Sequence, residues 1–302
     1  MKYKNLIVAA ALGVGVGASL IGSGAGLASY VLRIPRQSLE EALDWQREHY
    51  DISWLDEAEQ VSYDILSFDG CRLHAVLLPA QEPSKRYVIL SHGYTDNRWG
   101  SLKYAKMYRD MGWNCVLWDL RGHGANEKDF CTYGLREGQD LSELVKDSYQ
   151  RYGADITLGL HGESLGAATT ISALQYCPEL DFAVADSPFA DIWNVLERQS
   201  AEPAVQWVSI WAKLRYGYAL SDMRPIDALK KSQVPLLLIH GLSDDFVPPE
   251  NSHRLYEAAQ GEKEIWLVEG AAHAQSVFTD PEGYAEHLSR FLEKTCGPVP
   301  AG

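Results

Sequence analysis

Six short apolar runs, each followed or preceded by a helical periodicity, constrain this chain more than any other feature. At positions 87–90, 114–118, 156–160, 182–185, 234–239 and 264–268 the apolar residues are nearly continuous. A strand with one wet face alternates apolar and polar residues, whereas a strand covered on both faces does not. Helical patterns fall around 101–111, 138–151, 165–176, 250–259 and 281–294. Strand alternating with helix implies a parallel sheet with right-handed crossovers and helices on both faces. Two further strand-like runs, 61–68 and 72–78, come first and are joined at Asp69-Gly70, a strong hairpin signal. The expected fold class is therefore α/β, with a mostly parallel eight-stranded sheet, and 302 residues suffice for it as one large domain.

The chain before that sheet divides in two. Residues 6–32 carry no charge and are mostly apolar, with Lys2 and Lys4 before them and Arg33 and Arg36 after. Such a run is long enough to cross a hydrocarbon core of about 30 Å, and exceeds the apolar region of about 7–15 residues in a cleaved signal. Residues 1–36 are accordingly expected to be an uncleaved signal anchor, a transmembrane helix, in preference to a cleaved signal or a buried soluble helix. The lysine side favours the cytoplasm, which places the catalytic part outside it at the cell membrane. Gly13/Gly17 and Gly22/Gly26 have the spacing of close helix packing in membranes. A dinucleotide fingerprint is excluded here, because no strand precedes these glycines. Residues 37–59 read as a helical connector, 60–296 as the catalytic domain, and 297–302 as a tail. Between 187 and 233 the connection is too long for a simple crossover, and its aromatic residues, Trp193, Trp207, Trp211, Tyr216 and Tyr218, mark an inserted helical cap.

Charge and cysteine content exclude several functions. The formal net charge is −14, with no basic stripe, so a polyanion such as nucleic acid is not a partner. The five cysteines are scattered without a CxxC pair, so neither a zinc site nor a disulfide framework is indicated.

The chemistry gathers at the ends of the apolar runs. Gly162-Glu163-Ser164-Leu165-Gly166 lies between a strand-like run and a helical pattern. A sharp strand-to-helix turn there would present the Ser164 hydroxyl. A serine hydroxyl needs a base, and His273 follows the last run at the same sheet end. An acid that orients the histidine belongs between them. Asp244 and Asp245, which leave the run 234–239, both qualify by position, and Asp186 is a less favoured alternative. Acyl transfer also requires donors for the developing oxyanion, for which the backbone N–H groups of Leu165 and Tyr94 stand in the right places. Ser91-His92-Gly93-Tyr94 ends one run, and His92 reads as structural. Asp119-Leu120-Arg121-Gly122-His123-Gly124 ends the next, with Asp119 and His123 as turn-stabilising residues.

Together, Ser91 to Tyr94, Asp119 to Gly124, Gly162 to Gly166 and His240 to Pro249 with His273 resemble the α/β-hydrolase superfamily over about residues 60–295. Within that resemblance His240-Gly241-x-x-Asp244-x-x-Val247-Pro248 places the acid at Asp244 rather than Asp245. The elbow continued through Ala167-Ala168-Thr169, with an N-terminal anchor, is similar to membrane-anchored bacterial hydrolases related to serine aminopeptidases. Glu163 departs from the commonest elbow, where histidine is frequent, and is expected to bond to the turn. The resemblance implies an α/β-hydrolase fold with a helical cap, no cofactor and no metal. The implied activity is that of a serine hydrolase cleaving a small-molecule ester through an acyl-enzyme, a carboxylesterase in the first instance. Peptidase, thioesterase or acyltransferase chemistry on the same triad, and a non-catalytic binding protein of the same fold, stay open at this point.

Overall fold

A computed structural model describes residues 24–33, 36–200 and 202–298. Its eight strands are β1 (Val61–Leu66), β2 (Arg72–Leu78), β3 (Arg86–Ser91), β4 (Asn114–Trp118), β5 (Thr157–Glu163), β6 (Phe182–Asp186), β7 (Leu236–Gly241) and β8 (Lys263–Val268). They form one sheet in the order β1-β2-β4-β3-β5-β6-β7-β8. β2 runs antiparallel to both neighbours, and every pairing from β4 to β8 is parallel. The chain steps from β3 to β4 on one side and then to β5 on the other. In a sheet of this kind that reversal opens a crevice at the carboxyl ends of the strands, where ligands bind.

Helices cover both faces: α1 (Gly24–Leu32), α2 (Leu39–His49), α3 (Leu102–Asp110), α4 (Leu135–Tyr152), α5 (Leu165–Ala173), α6 (Ile192–Gln199), α7 (Glu202–Tyr216), α8 (Glu250–Ala258) and α9 (Pro281–Cys296). Because strand side chains alternate, Ile89, Val116, Ala183 and Leu238 join one core with α4, α5, α6 and α7. Val88, Leu117, Val184 and Ile239 join the other with α3 and α9. Local chemistry sets the helix starts. Ser38 Oγ accepts the Glu41 N–H at 3.1 Å while Glu41 Oε2 accepts the Ser38 N–H at 2.9 Å, a reciprocal cap for α2. Asp280 accepts the Gly283 N–H at 2.9 Å just ahead of Pro281, which opens α9.

The stretch expected to be a cap, 187–233, holds α6, α7 and the short helix Ile226–Leu229. The N-terminal expectation needs correction. Residues 1–23 lie outside the described residues, but the last part of the expected membrane span, Gly24–Leu32, is a helix docked on the domain. Ala28 and Leu32 are fully buried in the core. The Leu32 carbonyl accepts the Cys131 N–H at 2.8 Å, and Tyr216 Oη donates to Ser29 Oγ at 3.1 Å. An uncharged, small-residue sequence satisfies burial against protein as readily as burial in lipid, so composition alone set the boundary too late. Among the described residues no helix is long and apolar enough to cross a membrane.

A buried ionic cluster fastens the antiparallel edge to the rest. Arg121, almost fully buried, reaches Asp140 on α4 at 2.5 Å, Asp69 in the β1–β2 turn at 2.9 Å, and Asp129 at 3.2 Å. Burial pushes the Asp140 carboxyl up to about 6, against the lowering effect of Arg121. Removing one member of a buried ion pair leaves an uncompensated charge. Asp140→Ala should therefore lower the unfolding free energy by about 2–4 kcal/mol in urea titration, with Asp129→Ala costing clearly less.

Candidate active site

Ser164 sits between β5 and α5 in a conformation that side-chain-bearing residues rarely adopt, φ 53° and ψ −110°. Its glycine neighbours make the turn possible. A Cβ on Gly162 would lie 2.1 Å from the Gly166 carbonyl oxygen, and one on Gly166 would lie 2.1 Å from the Ser91 carbonyl oxygen. The turn is fastened to the next strand, for the Ser164 N–H donates to the Asp186 carbonyl at 2.8 Å.

Three of the residues singled out in the sequence meet there. Ser164 Oγ lies 2.8 Å from His273 Nε2, and His273 Nδ1 lies 2.7 Å from Asp244 Oδ2. Asp244 leaves β7 and is buried. Its Oδ1 accepts the N–H groups of Phe246 at 3.0 Å and Val247 at 2.8 Å. His240 Nε2 stands 3.2 Å from Oδ2, held by the Val247 carbonyl at 2.7 Å and, through Nδ1, by Ser252 Oγ at 2.6 Å. Burial pushes the Asp244 carboxyl up, but the His273 charge and the hydrogen bonds from His240 and His273 outweigh it, leaving it well below the usual carboxylate range. Burial alone would lower His273, yet Asp244 more than offsets this and raises it above an ordinary imidazole. Of the competing acids, Asp245 is exposed. Asp186 turns beneath the elbow instead, toward Tyr104, Tyr284 and Ser187.

Tyr94 and Leu165 border the same cavity as Ser164. The loop that carries Tyr94 is clamped by His92, whose Nε2 accepts the Leu120 N–H at 3.0 Å while Nδ1 meets the Gly93 carbonyl at 2.8 Å. Burial holds this imidazole down at about 4, so it is neutral at neutral pH, as both bonds require. Asp119 is fully buried and accepts from Arg98 and from the Ala125 N–H at 2.8 Å, while His123 Nδ1 meets the Arg121 carbonyl at 2.8 Å. These two side chains stabilise the turn, as their setting in the sequence predicts.

Glu163 does not bond to the turn as expected. It forms a buried ion pair with Lys103 and accepts the Tyr104 hydroxyl at 2.7 Å. The same hydroxyl lies 3.0 Å from Asp186 Oδ2, and Tyr284 Oη lies 3.1 Å from that oxygen. Burial, reinforced by the Glu163 charge, pushes Asp186 up to about 6. From Asp186 the network returns to the site: Ser187 Oγ donates to Asp186 Oδ1 at 3.0 Å and accepts the Ala274 N–H at 3.1 Å, directly after His273. Ser187 and Ala274 both have positive φ, 54° and 55°. Lys103, Tyr104, Tyr284 and Ser187 escape sequence reasoning, because on their helices and loop nothing distinguishes them from ordinary amphipathic positions.

A cavity of about 180 Å³ opens beside Ser164. Phe189, Ile192, Val195, Val205 and Val208 line it from the segment between β6 and β7, and Leu27, Tyr30, Val31 and Arg33 from α1 and the residue after it. Arg33 is the single charged residue in this lining among the described residues. α1 is held in place by Tyr133 Oη, which donates to the Val31 carbonyl at 2.6 Å. Neither the docked helix nor its part in the cavity was visible while that segment read as a membrane span. Among the described residues no cluster of His, Cys, Asp or Glu is arranged to hold a metal ion.

Comparison with known proteins gives the family and the fold. The chain is 34% identical to the protein YqkD of Bacillus subtilis over 215 residues, 68% of this chain and 70% of that one. In structure it is similar to the esterase Pf2001 of Pyrococcus furiosus, with a TM-score of 0.68 and 23% identity over 87% of this chain and 99% of that one. It also resembles a puromycin-hydrolyzing peptidase of Mycobacterium tuberculosis, with a TM-score of 0.66 and 19% identity over 84% of this chain and 42% of that one. These two likenesses establish the α/β-hydrolase fold. The profile of the prolyl oligopeptidase family matches residues 99–280, a segment that runs from before β4 past His273 and includes all three residues that meet at the elbow. A serine hydrolase of the α/β-hydrolase type, the chain belongs to the prolyl oligopeptidase family.

Proposed function

We propose that this serine hydrolase is a carboxylesterase in which Ser164 attacks the ester carbonyl, His273 takes its proton and Asp244 holds the imidazole. The observation that carries the reading is the unbroken path Ser164 Oγ–His273–Asp244, with contacts of 2.8 and 2.7 Å. The amides of Leu165 and Tyr94 stabilise the tetrahedral anion. His273 then returns the proton to the leaving alcohol, and a water deprotonated by the same imidazole releases the acid from the acyl-enzyme. The substrate's acyl part occupies the apolar cavity beside Ser164. An ester is preferred to an amide with a free α-amine because that amine needs a carboxylate partner. Among the described residues the lining offers none, and its charged member, Arg33, has the wrong sign. Peptidase action is the second reading, favoured by the family match. Residues 6–23, 18 residues without a charge, remain long enough for a membrane span. We place the chain at the cell membrane through them, with the catalytic domain on the extracytoplasmic side.

A fluorophosphonate probe and paired substrates test the assignment. The protein should be labelled and Ser164→Ala should not, and short p-nitrophenyl esters should be cleaved at least about a hundred-fold faster than aminoacyl p-nitroanilides. A reversed preference gives the site to the peptidase reading, and a folded protein that resists labelling removes the nucleophile.

The pH profile follows from the charges. Only neutral His273 accepts a proton, so kcat/KM falls as pH drops through its pKa. Since Asp244 raises that pKa, the acid limb should lie above the ordinary imidazole value of about 6.5. Asp244→Asn should shift the limb to lower pH and reduce kcat by about 10³–10⁴-fold.

Ser187 positions the histidine loop without touching substrate. Ser187→Ala should lower kcat about ten-fold or more while leaving KM nearly unchanged, because a shift of His273 weakens proton transfer rather than binding. Steady-state kinetics on a p-nitrophenyl ester decide it.

A further inference from the structure

α7 is apolar on two opposite sides. Val205, Val208 and Ala212 face the core, at 2%, 3% and 0% exposure. Trp207, Ile210 and Leu214 repeat the same spacing two residues on and are 58%, 51% and 72% exposed. A contiguous apolar stripe left exposed on a helix marks a surface that protein or lipid covers. Four observations bear on what covers the outer stripe. From 203 to 216 there is no Asp or Glu, in a chain with 41 acidic and 27 basic residues, and Lys213 and Arg215 are its charged members. Tryptophan and tyrosine suit the boundary between headgroups and acyl chains, and Tyr30 on the neighbouring α1 is itself 42% exposed. α1 packs on α7. The uncharged run 6–23 joins the chain where α1 begins.

We infer that the outer face of α7 rests in the headgroup region of a lipid bilayer, so that the site draws its acyl esters from that surface. A self-association face fits less well. Three side chains and Tyr30 offer roughly 450 Å², against the ~800 Å² per partner of a stable interface. The inner face of α7 lines the cavity through Val205 and Val208, and Tyr30 is both exposed and part of the lining. One helix pair thus connects the bilayer surface with the space beside Ser164. The source of the substrate rests on the esterase reading, whereas the lipid contact does not.

The test uses the full chain in phosphatidylcholine vesicles whose acyl chains carry bromine. Zwitterionic lipid is chosen because a net charge of −14 opposes an anionic surface. Trp207 is the one tryptophan among the exposed large hydrophobic residues, so part of the emission should be quenched, and Trp207→Phe should remove that quenched part. With Trp207→Ser, Ile210→Ser and Leu214→Ser combined, hydrolysis of a long-chain p-nitrophenyl ester embedded in vesicles should fall about ten-fold. Hydrolysis of water-soluble p-nitrophenyl acetate should change less than about two-fold. Emission that bromine leaves unquenched overturns the lipid contact. So does a dimer in lipid-free solution that the triple variant dissolves, which would assign the stripe to a second copy. Quenching as expected with equal losses on both esters keeps the contact and overturns the delivery of substrate. Failure of fluorophosphonate labelling defeats the esterase reading alone, because quenching does not depend on turnover.

Discussion

The backbone at Ser164 is the constraint on which the rest of the site depends. A residue at φ 53° and ψ −110° is unfavourable by itself and persists only where its surroundings over-determine it. Here β5 and α5 hold the two ends, the Asp186 carbonyl fixes the Ser164 N–H, and two glycines let Gly162 approach Gly166 and Gly166 approach Ser91 with no room for a Cβ. The hydroxyl is thereby carried to the carboxyl edge of the sheet. The loops after β7 and β8 bring Asp244 and His273 to that same edge. The parallel order of β5 to β8 makes this meeting possible, since every one of these strands ends on one side.

Charge is distributed in two layers around that edge. Above, Asp244 is kept ionised by His273, His240 and two backbone amides, and it keeps the His273 imidazole easier to protonate. Below, Glu163 and Asp186 lie close enough to oppose one another. Lys103 compensates the first, while Tyr104, Tyr284 and Ser187 bond to the second. The buried imidazoles of this region, His92 at about 4 and His161 at about 3, stay neutral and act as fixed hydrogen-bonding groups. The field at Ser164 is therefore built from few charges in settled positions, an arrangement that requires little reorganisation as the oxyanion develops.

Much of this was legible in the sequence, because its signals are local. Continuous apolar runs report burial on both faces of a strand, and the observed strands 86–91, 114–118 and 182–186 follow those at 87–90, 114–118 and 182–185 within a residue or two. The elbow, the acid after β7 and the histidine after β8 each carry a short pattern that backbone geometry demands. The Lys103–Glu163–Asp186–Ser187 path had no such mark. Lys103, Glu163 and the adjacent pair Asp186-Ser187 are about 20 to 80 residues apart and come together through tertiary packing, so Glu163 looked as though it could bond only nearby. The end of the apolar N-terminal run was misjudged for a related reason: Ala28 and Leu32 are buried, and sequence reports that they avoid water without reporting what replaces it.

That replacement matters for the chemistry. Leu27 and Val31 line the cavity beside Ser164 together with Ile192 and Val195, so its wall comes from a helix outside the family-matched segment 99–280 as well as from helices within it. Ser164, His273, Asp244 and their supporting network lie on the sheet, its loops and the helices beneath, whereas much of the cavity wall lies on α1, α6 and α7. Changes in those walls can reshape the cavity without disturbing Ser164, His273 or Asp244, because among the described residues no side-chain hydrogen bond of these three runs through them. The shape of the cavity and the placement of Ser164, His273 and Asp244 are therefore set by different parts of the chain. By the same reasoning, the folded domain begins no later than Gly24, and not after Arg36, since removing α1 would take away one side of the cavity beside Ser164.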